Sequence, residues 1–186
     1  IFLRELLSNA SDAIHKRKLL GQTNQALLNT SDDQIGVVVD TKKKSIQLTD
    51  TGIGLDEAEL SQTLGTIARS GTSTFLDDVG ELEDFKDAAK TLIGKFGVGF
   101  YSAFMVADKV SVVTRKAGTD QGFVWESDGK TGFSIVAAEQ VGEVGTSLTL
   151  HLRKAAKEYA DLSKLRGLIR KYSDHIVFPI LIKDEG

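Results

Sequence analysis

The sequence has no cysteine, one proline and one tryptophan among its 186 residues. Without cysteine, disulfide bonds and thiolate metal sites are excluded, and a reducing compartment fits. There is no run of about 18 apolar residues that could form a transmembrane helix, and the first residues do not predict a signal peptide. No internal repeat or long linker divides the sequence, so residues 1–186 are predicted to form a single domain.

Positive charge is not in excess, since the formal net charge is −3 at pH 7. This balance lacks the electrostatic footprint of a protein that binds nucleic acid or an anionic membrane, and neither partner is expected. The hydrophobic fraction of 41% and the charged fraction of 26% are typical of a globular domain. The chain opens in the middle of a helical pattern, which we interpret as truncation at the N-terminus.

Hydrophobic periodicity predicts a first helix over residues 1–20 and a hairpin with strands near 35–39 and 46–48. Four further strand-like runs, expected to form an antiparallel meander, cover residues 109–114, 122–126, 132–137 and 146–152. An amphipathic helix near 162–176 and a last strand at 180–182 follow. The predicted fold class is α+β, a two-layer sandwich with a mixed, mostly antiparallel sheet and helices on one face.

Residues 65–92 have weak periodicity and become acidic after position 76. A connection of this length inside a compact domain is usually either a functional lid or a disordered segment.

Three groups of residues point to chemistry. Glu5, Asn9 and Asp12 are four and three positions apart, so they share one stripe of the first helix, beside its apolar face. A carboxylate there could accept a proton from water, and an amide oxygen could bind Mg²⁺. The alternative is an ordinary solvated polar face.

The second group is Asp50, followed by Gly52 and Gly54 at the end of a strand. A carboxylate held there could accept a hydrogen bond from an exocyclic amine, while glycines allow a ring to approach the backbone. The alternative is an aspartate that opens a common β-turn.

The third group is a run of glycines at positions 94, 97 and 99 that leads into a helix. Backbone N–H groups at such a helix start bind phosphate. The spacing is neither the dinucleotide fingerprint nor a P-loop.

Four segments together resemble the ATP-site motifs of the ninety-kilodalton heat-shock chaperones. They are residues 4–13 (RELLSNASDA), 50–54 (DTGIG), 65–72 (GTIARSGT) and 97–104 (GVGFYSAF). Residues 171–176 (KYSDHI) resemble the bacterial members. The wider superfamily also holds DNA gyrase B subunits, MutL proteins and histidine kinases, and it implies the Bergerat ATP-binding fold. The runs at 97–103 (GVGFYSA) and 70–72 (SGT) are more specific to the chaperones.

The resemblance implies roles at individual positions. Glu5 would activate the attacking water with Arg4 as a regulatory partner, Asn9 would bind Mg²⁺, and Asp12 would hold the ribose and its waters. Asp50 would bind the adenine amino group.

Further implied contacts complete the nucleotide site. Thr146 would share a water with the aspartate at position 50. The remaining residues implied to line the base pocket, cradle the phosphates or contact them are Gly54, Leu55, Arg69, Gly97, Val98, Gly99 and Phe100.

The chain departs from the family pattern at a few positions. Lys95 replaces a glutamine in the glycine run, and Thr63 stands where many members have an asparagine that reaches the nucleotide. Leu55 replaces methionine with little change in volume, and Arg69 replaces lysine.

The implied activity is a Mg²⁺-dependent ATPase that drives a chaperone cycle in the cytoplasm, with ATP and ADP as ligands. Residues 65–95 would form a lid. Client proteins and a second copy of the full-length protein would be its partners. Turnover should be very weak in isolation, because the family draws a catalytic cation from a following domain. The alternatives are the ATPase module of a DNA topoisomerase or MutL-type protein, a histidine-kinase domain, and a module that only reports nucleotide state.

Overall fold

A computed structural model describes residues 2–69, 99–140 and 142–186, apart from the side chains at positions 63, 65–69 and 101. The predicted lid beyond position 69 therefore lies outside the described residues. So do Lys95, Gly97, Val98 and the side chains of Thr63 and Arg69.

Seven strands and four α-helices make up the described part of the chain. The helices are α1 (Phe2–Gly21), α2 (Glu57–Arg69), α3 (Ala103–Val106) and α4 (Leu162–Tyr172). The strands are β1 (Ile35–Asp40), β2 (Ser45–Asp50), β3 (Ala107–Arg115), β4 (Gly122–Ser127), β5 (Phe133–Ala137), β6 (Gly145–Leu152) and β7 (Ile180–Asp184). Short 3₁₀ turns occur at Gln25–Leu27, Gly99–Ser102 and Lys154–Tyr159. None of the described helices is long and apolar enough to cross a membrane.

The strands form one sheet in the order β5-β4-β3-β6-β2-β1-β7. All neighbouring pairs are antiparallel except β1 and β7, which run parallel. The predicted α+β class is therefore confirmed.

The predicted meander is wrong in one respect. Strand β6 does not follow β5 at the sheet edge but returns to the centre, between β3 and β2. Its core-facing side chains explain the position, because Leu148, Leu150 and Leu152 are all buried. At the centre of the sheet, core side chains of β2 and β3, such as Leu48 and Val112, cover this leucine row from both sides.

One hydrophobic core lies between the helices and one face of the sheet. On α1, Leu3, Leu7 and Ile14 are almost fully buried. They meet alternate residues of the central strands, such as Val37 and Ile46. Alternation places the intervening residues on the opposite face, which gives the two-layer arrangement.

Candidate functional site

A cavity of about 530 Å³ opens beside α1 at the end of β2. This volume suits a small organic ligand. Its walls are mostly apolar, with a few polar groups. The described lining residues are Leu6, Asn9, Ala10, Asp12, Ala13, Leu48, Asp50, Ile53, Gly54, Leu55, Gln62, Leu64, Phe100, Val112, Thr146 and Leu148. Seven of the residues singled out from the sequence thus meet at one cavity: Asn9, Asp12, Asp50, Gly54, Leu55, Phe100 and Thr146.

Helix α1 contributes the polar side of the cavity. Asn9 and Asp12 are exposed and line it. Glu5 is half-buried one turn before Asn9, and Arg4 is exposed; neither belongs to the lining. The predicted stripe exists, and its C-terminal half reaches the cavity.

Asp50 ends β2, directly opposite Thr146 of β6. The backbone N–H of Gly52 donates to Asp50 Oδ1 over 2.8 Å. Burial raises the pKa of Asp50 to about 7, and hydrogen bonds from the backbone of Gly52 and Thr146 partly oppose that rise. The cavity therefore has a hydrogen-bond acceptor whose charge depends on pH near neutrality.

The glycines after Asp50 are required by close backbone contacts. A Cβ on Gly52 would lie 2.5 Å from Ala13 Cβ of α1. Gly54 has φ of +74°, and a Cβ there would lie 2.0 Å from the carbonyl oxygen of Arg115. Both distances are far below van der Waals contact, so the turn can pack between α1 and β3 only with glycine at these positions.

Helix α1 also holds the turn directly. The N–H of Ile53 donates to the carbonyl of Ala13 over 3.0 Å. The buried guanidinium of Arg17 donates from Nη1 to the carbonyl of Thr51 over 2.9 Å. A role for Arg17 was not predicted from the sequence. The available signal was a cation at the position that continues the apolar stripe of Ala10 and Ile14.

Thr114 is a second residue that the sequence reasoning missed. Its buried hydroxyl accepts a hydrogen bond from the N–H of Leu55 over 2.9 Å. The same oxygen lies 3.0 Å from the hydroxyl of Thr146 and 3.1 Å from the carbonyl of Gly145. Thr114 therefore connects the turn after β2 to the start of β6. The signal was a threonine in the core-facing register of Val110 and Val112.

The start of α2 is fixed against the loop after β3. The N–H of Glu59 donates to Asp56 Oδ1 over 2.9 Å, so Asp56 caps the N-terminus of α2. Lys116 forms ion pairs with both Asp56 and Glu59. The backbone hydrogen bond from Glu59, with a smaller contribution from Lys116, lowers the pKa of Asp56. These contacts fix the start of α2, the helix from which Gln62 and Leu64 line the cavity.

Another part of the cavity wall carries an aromatic cluster. Phe100, in the turn Gly99–Ser102, lines the cavity and packs edge-on against Phe104 and Trp125, with ring centroids 6.1 and 5.6 Å apart. The one described residue of the predicted glycine run, Gly99, begins this turn. The cluster fixes the position of Phe100 in the cavity wall.

Oxygen donors are present for a hard cation. The Asn9 amide and the Asp12 carboxylate line the same cavity. Among the described residues, no group of three or more His, Cys, Asp or Glu side chains could hold a metal by itself. The donors therefore fit Mg²⁺, which commonly takes one or two protein oxygens and completes its shell with water and phosphate.

Residues 2–142 match the model of the histidine kinase-, DNA gyrase B- and HSP90-like ATPase family. The chain belongs to this family, as its fold and cavity indicate.

Within the family, the chain is similar to bacterial proteins named chaperone protein HtpG, which confirms the resemblance seen in the motifs. It is 50% identical to the protein of Roseobacter denitrificans over 100% of this chain and 30% of that protein. It is 48% identical to the proteins of Rhodospirillum rubrum and Borreliella burgdorferi, over 97% and 98% of this chain and 29% of each relative. The chain thus spans under a third of these relatives.

Proposed function

We propose that this chain is the ATP-binding domain of an HtpG-type chaperone, and that it binds and slowly hydrolyses ATP with Mg²⁺. The observation that carries the proposal is that Asp50 and Asn9 line one cavity, the first half-buried at the end of β2 and the second at an exposed position of α1. The similarity to HtpG supports this function over the ATPase module of a DNA topoisomerase or MutL-type protein.

Asp50 would recognise the base. Its carboxylate is held by the N–H of Gly52 and faces a mostly apolar cavity, an arrangement suited to the exocyclic amine of adenine. Gly54 and Leu55 would lie against the ring. Thr146 would bind a water shared with Asp50.

Asn9 and Asp12 would act on the polar side of the nucleotide. Asn9 would contribute its amide oxygen to Mg²⁺, and Asp12 would hold the ribose and its waters. The bound ion would neutralise phosphate charge. Gly99 and Phe100, with Gly97 and Val98 from outside the described residues, would cradle the phosphates through backbone N–H groups. Arg69 would add a cationic contact.

Glu5 would accept the proton of the attacking water. Its position on α1, one helical turn before Asn9 and outside the cavity lining, supports a role at the phosphate end of the nucleotide. Arg4 would regulate Glu5 from the adjacent exposed position.

Residues 65–95 would form the lid that closes over ATP, and closure would signal nucleotide state to the rest of the protein. We expect client folding, homodimerisation through regions outside this chain, and a cytoplasmic location. The isolated chain should hydrolyse ATP very weakly, because the stabilising cation would come from another domain.

Calorimetric titration with ADP and ATP, with and without Mg²⁺, tests the proposal. The parent chain should bind both nucleotides, while Asp50→Asn should abolish binding because an amide NH₂ would face the adenine amine. Asp174→Asn, at an exposed position, is the matched control and should bind as the parent does. Tight binding by Asp50→Asn would refute the assigned role of this carboxylate.

A further inference from the structure

Arg17 is an arginine with only 7% of its surface exposed. Among the residues that the structure describes, no carboxylate forms an ion pair with it. Its hydrogen bonds go to two backbone carbonyls, from Nε to Leu27 over 2.7 Å and from Nη1 to Thr51 over 2.9 Å. Burial lowers the pKa of Arg17, and Asp33 opposes that effect. An arginine remains charged even so, and this position holds a cation in the core balanced mainly by peptide dipoles.

The carbonyl of Thr51 belongs to the same peptide group as the N–H of Gly52. In a planar trans peptide these two groups point in opposite directions. Arg17 donates to the carbonyl on one side of this peptide, and the N–H on the other side donates to Asp50 Oδ1 over 2.8 Å. One rigid unit thus connects a buried cation to the carboxylate in the cavity.

We infer that Arg17 is a positioning residue for nucleotide binding, acting through the Thr51–Gly52 peptide to orient and stabilise the ionised carboxylate of Asp50. A charged donor on the carbonyl polarises the peptide and strengthens the hydrogen bond made by its N–H. The carboxylate is thereby kept as an acceptor despite its burial. The nucleotide-binding part of this inference rests on the proposed function.

Other charged groups surround Asp50 and must be included in any titration. Asp12 shares the first cavity. Asp33 accepts from the hydroxyl of Thr51 over 3.2 Å and pairs with Lys18. A second cavity, which Asp50 also lines, contains Arg115 and Glu143. These groups are unchanged in an Arg17 variant, so a change in the Asp50 titration reports on Arg17 itself.

The direct test is carboxyl NMR of the nucleotide-free chain, which gives the pKa of Asp50 in the parent and in Arg17→Gln. Gln is neutral, so the pKa of Asp50 should rise. If one charge-assisted hydrogen bond is weakened, the acid dissociation constant of Asp50 should fall tenfold. Lys16→Gln removes a neighbouring exposed charge and is the matched control. An unchanged Asp50 pKa in folded Arg17→Gln would overturn the inference.

The second test is the pH dependence of ADP affinity, taken as the ratio of Kd in Arg17→Gln to Kd in the parent. This ratio cancels the titration of the phosphates. The pKa of Asp50 is near 7 in the parent. If its acid dissociation constant falls tenfold in Arg17→Gln, ADP should bind about ninefold more weakly at pH 6 and with about the parent's affinity at pH 9. A purely structural role would weaken binding equally at both pH values and contradict the inference.

A third measurement needs no variant, so it tests the inference even if Arg17→Gln fails to fold. In the parent chain, the Gly52 amide and the Arg17 guanidinium resonances should titrate with the midpoint of Asp50. Arg17 resonances that do not shift when Asp50 ionises would overturn the inference. Because the two NMR tests use nucleotide-free protein, they stand even if the chain fails to bind ATP.

Discussion

Replacing Asp50 with asparagine should stabilise the nucleotide-free chain more as the pH rises. In the unfolded chain this aspartate ionises near its ordinary pKa of 3.8, but burial raises its pKa to about 7 in the folded chain. Because the folded pKa is the higher one, the stability associated with Asp50 is complete below pH 3.8 and is lost as pH rises through 7. Asparagine has no such loss.

The size of the effect follows from the two pKa values. With pKa values of 3.8 in the unfolded chain and about 7 in the folded chain, ionisation lowers the free energy of unfolding by about 2 kcal/mol at pH 5 and about 4 kcal/mol at pH 8. Asparagine also changes hydrogen bonds to Gly52 and Thr146, but that contribution is independent of pH. The advantage of Asp50→Asn over the parent should therefore grow by about 2–3 kcal/mol between pH 5 and pH 8.

Urea unfolding at 25 °C, followed by circular dichroism at several pH values, measures this difference. The free energy of unfolding is compared for the parent, for Asp50→Asn and for the exposed Asp174→Asn, which controls for removing one negative charge. A difference between Asp50→Asn and the parent that does not change with pH would refute the reasoning. An equal growth with pH of the difference between Asp174→Asn and the parent would also refute it.

Two further predictions concern Thr114 and Glu5. Thr114→Val should leave the N–H of Leu55 without its acceptor, which should lower the free energy of unfolding by about 1–3 kcal/mol and ADP affinity about tenfold. Calorimetry measures both the unfolding and the ADP binding. Thr149→Val, on the opposite face of the sheet, is its control, and an equal loss there would contradict the role of Thr114. Glu5→Ala in the full-length protein should bind ATP normally in calorimetry yet lose hydrolysis in a phosphate-release assay, because no carboxylate would accept the proton of water. Normal turnover would remove Glu5 from the mechanism.

The local parts of the site were predictable from sequence. The stripe of Glu5, Asn9 and Asp12 depends only on helical spacing, and the turn after Asp50 depends on its glycines. The family resemblance then indicated that these separate pieces meet.

Long-range pairing was not predictable in the same way. The position of β6 depends on pairing with residues about 100 positions earlier in the chain. For example, Gln47 of β2 and Ser147 of β6 form a hydrogen bond over 3.0 Å. Periodicity shows that a strand is buried but does not name its neighbours.

Arg17 and Thr114 were missed for a related reason. Each looks unremarkable in its own segment, and each acts through a hydrogen bond to a residue 34 or 59 positions away. Only the folded chain shows that both hold the residues around Asp50.

The central claim is that the Asp50 carboxylate accepts a hydrogen bond from the amino group of adenine. Calorimetric comparison of ADP with inosine diphosphate tests it most directly, because inosine differs by a carbonyl in place of that amine. The carboxylate would then face an oxygen, so ADP should bind at least about 100-fold more tightly at pH 8. Equal affinities for the two nucleotides would contradict the account.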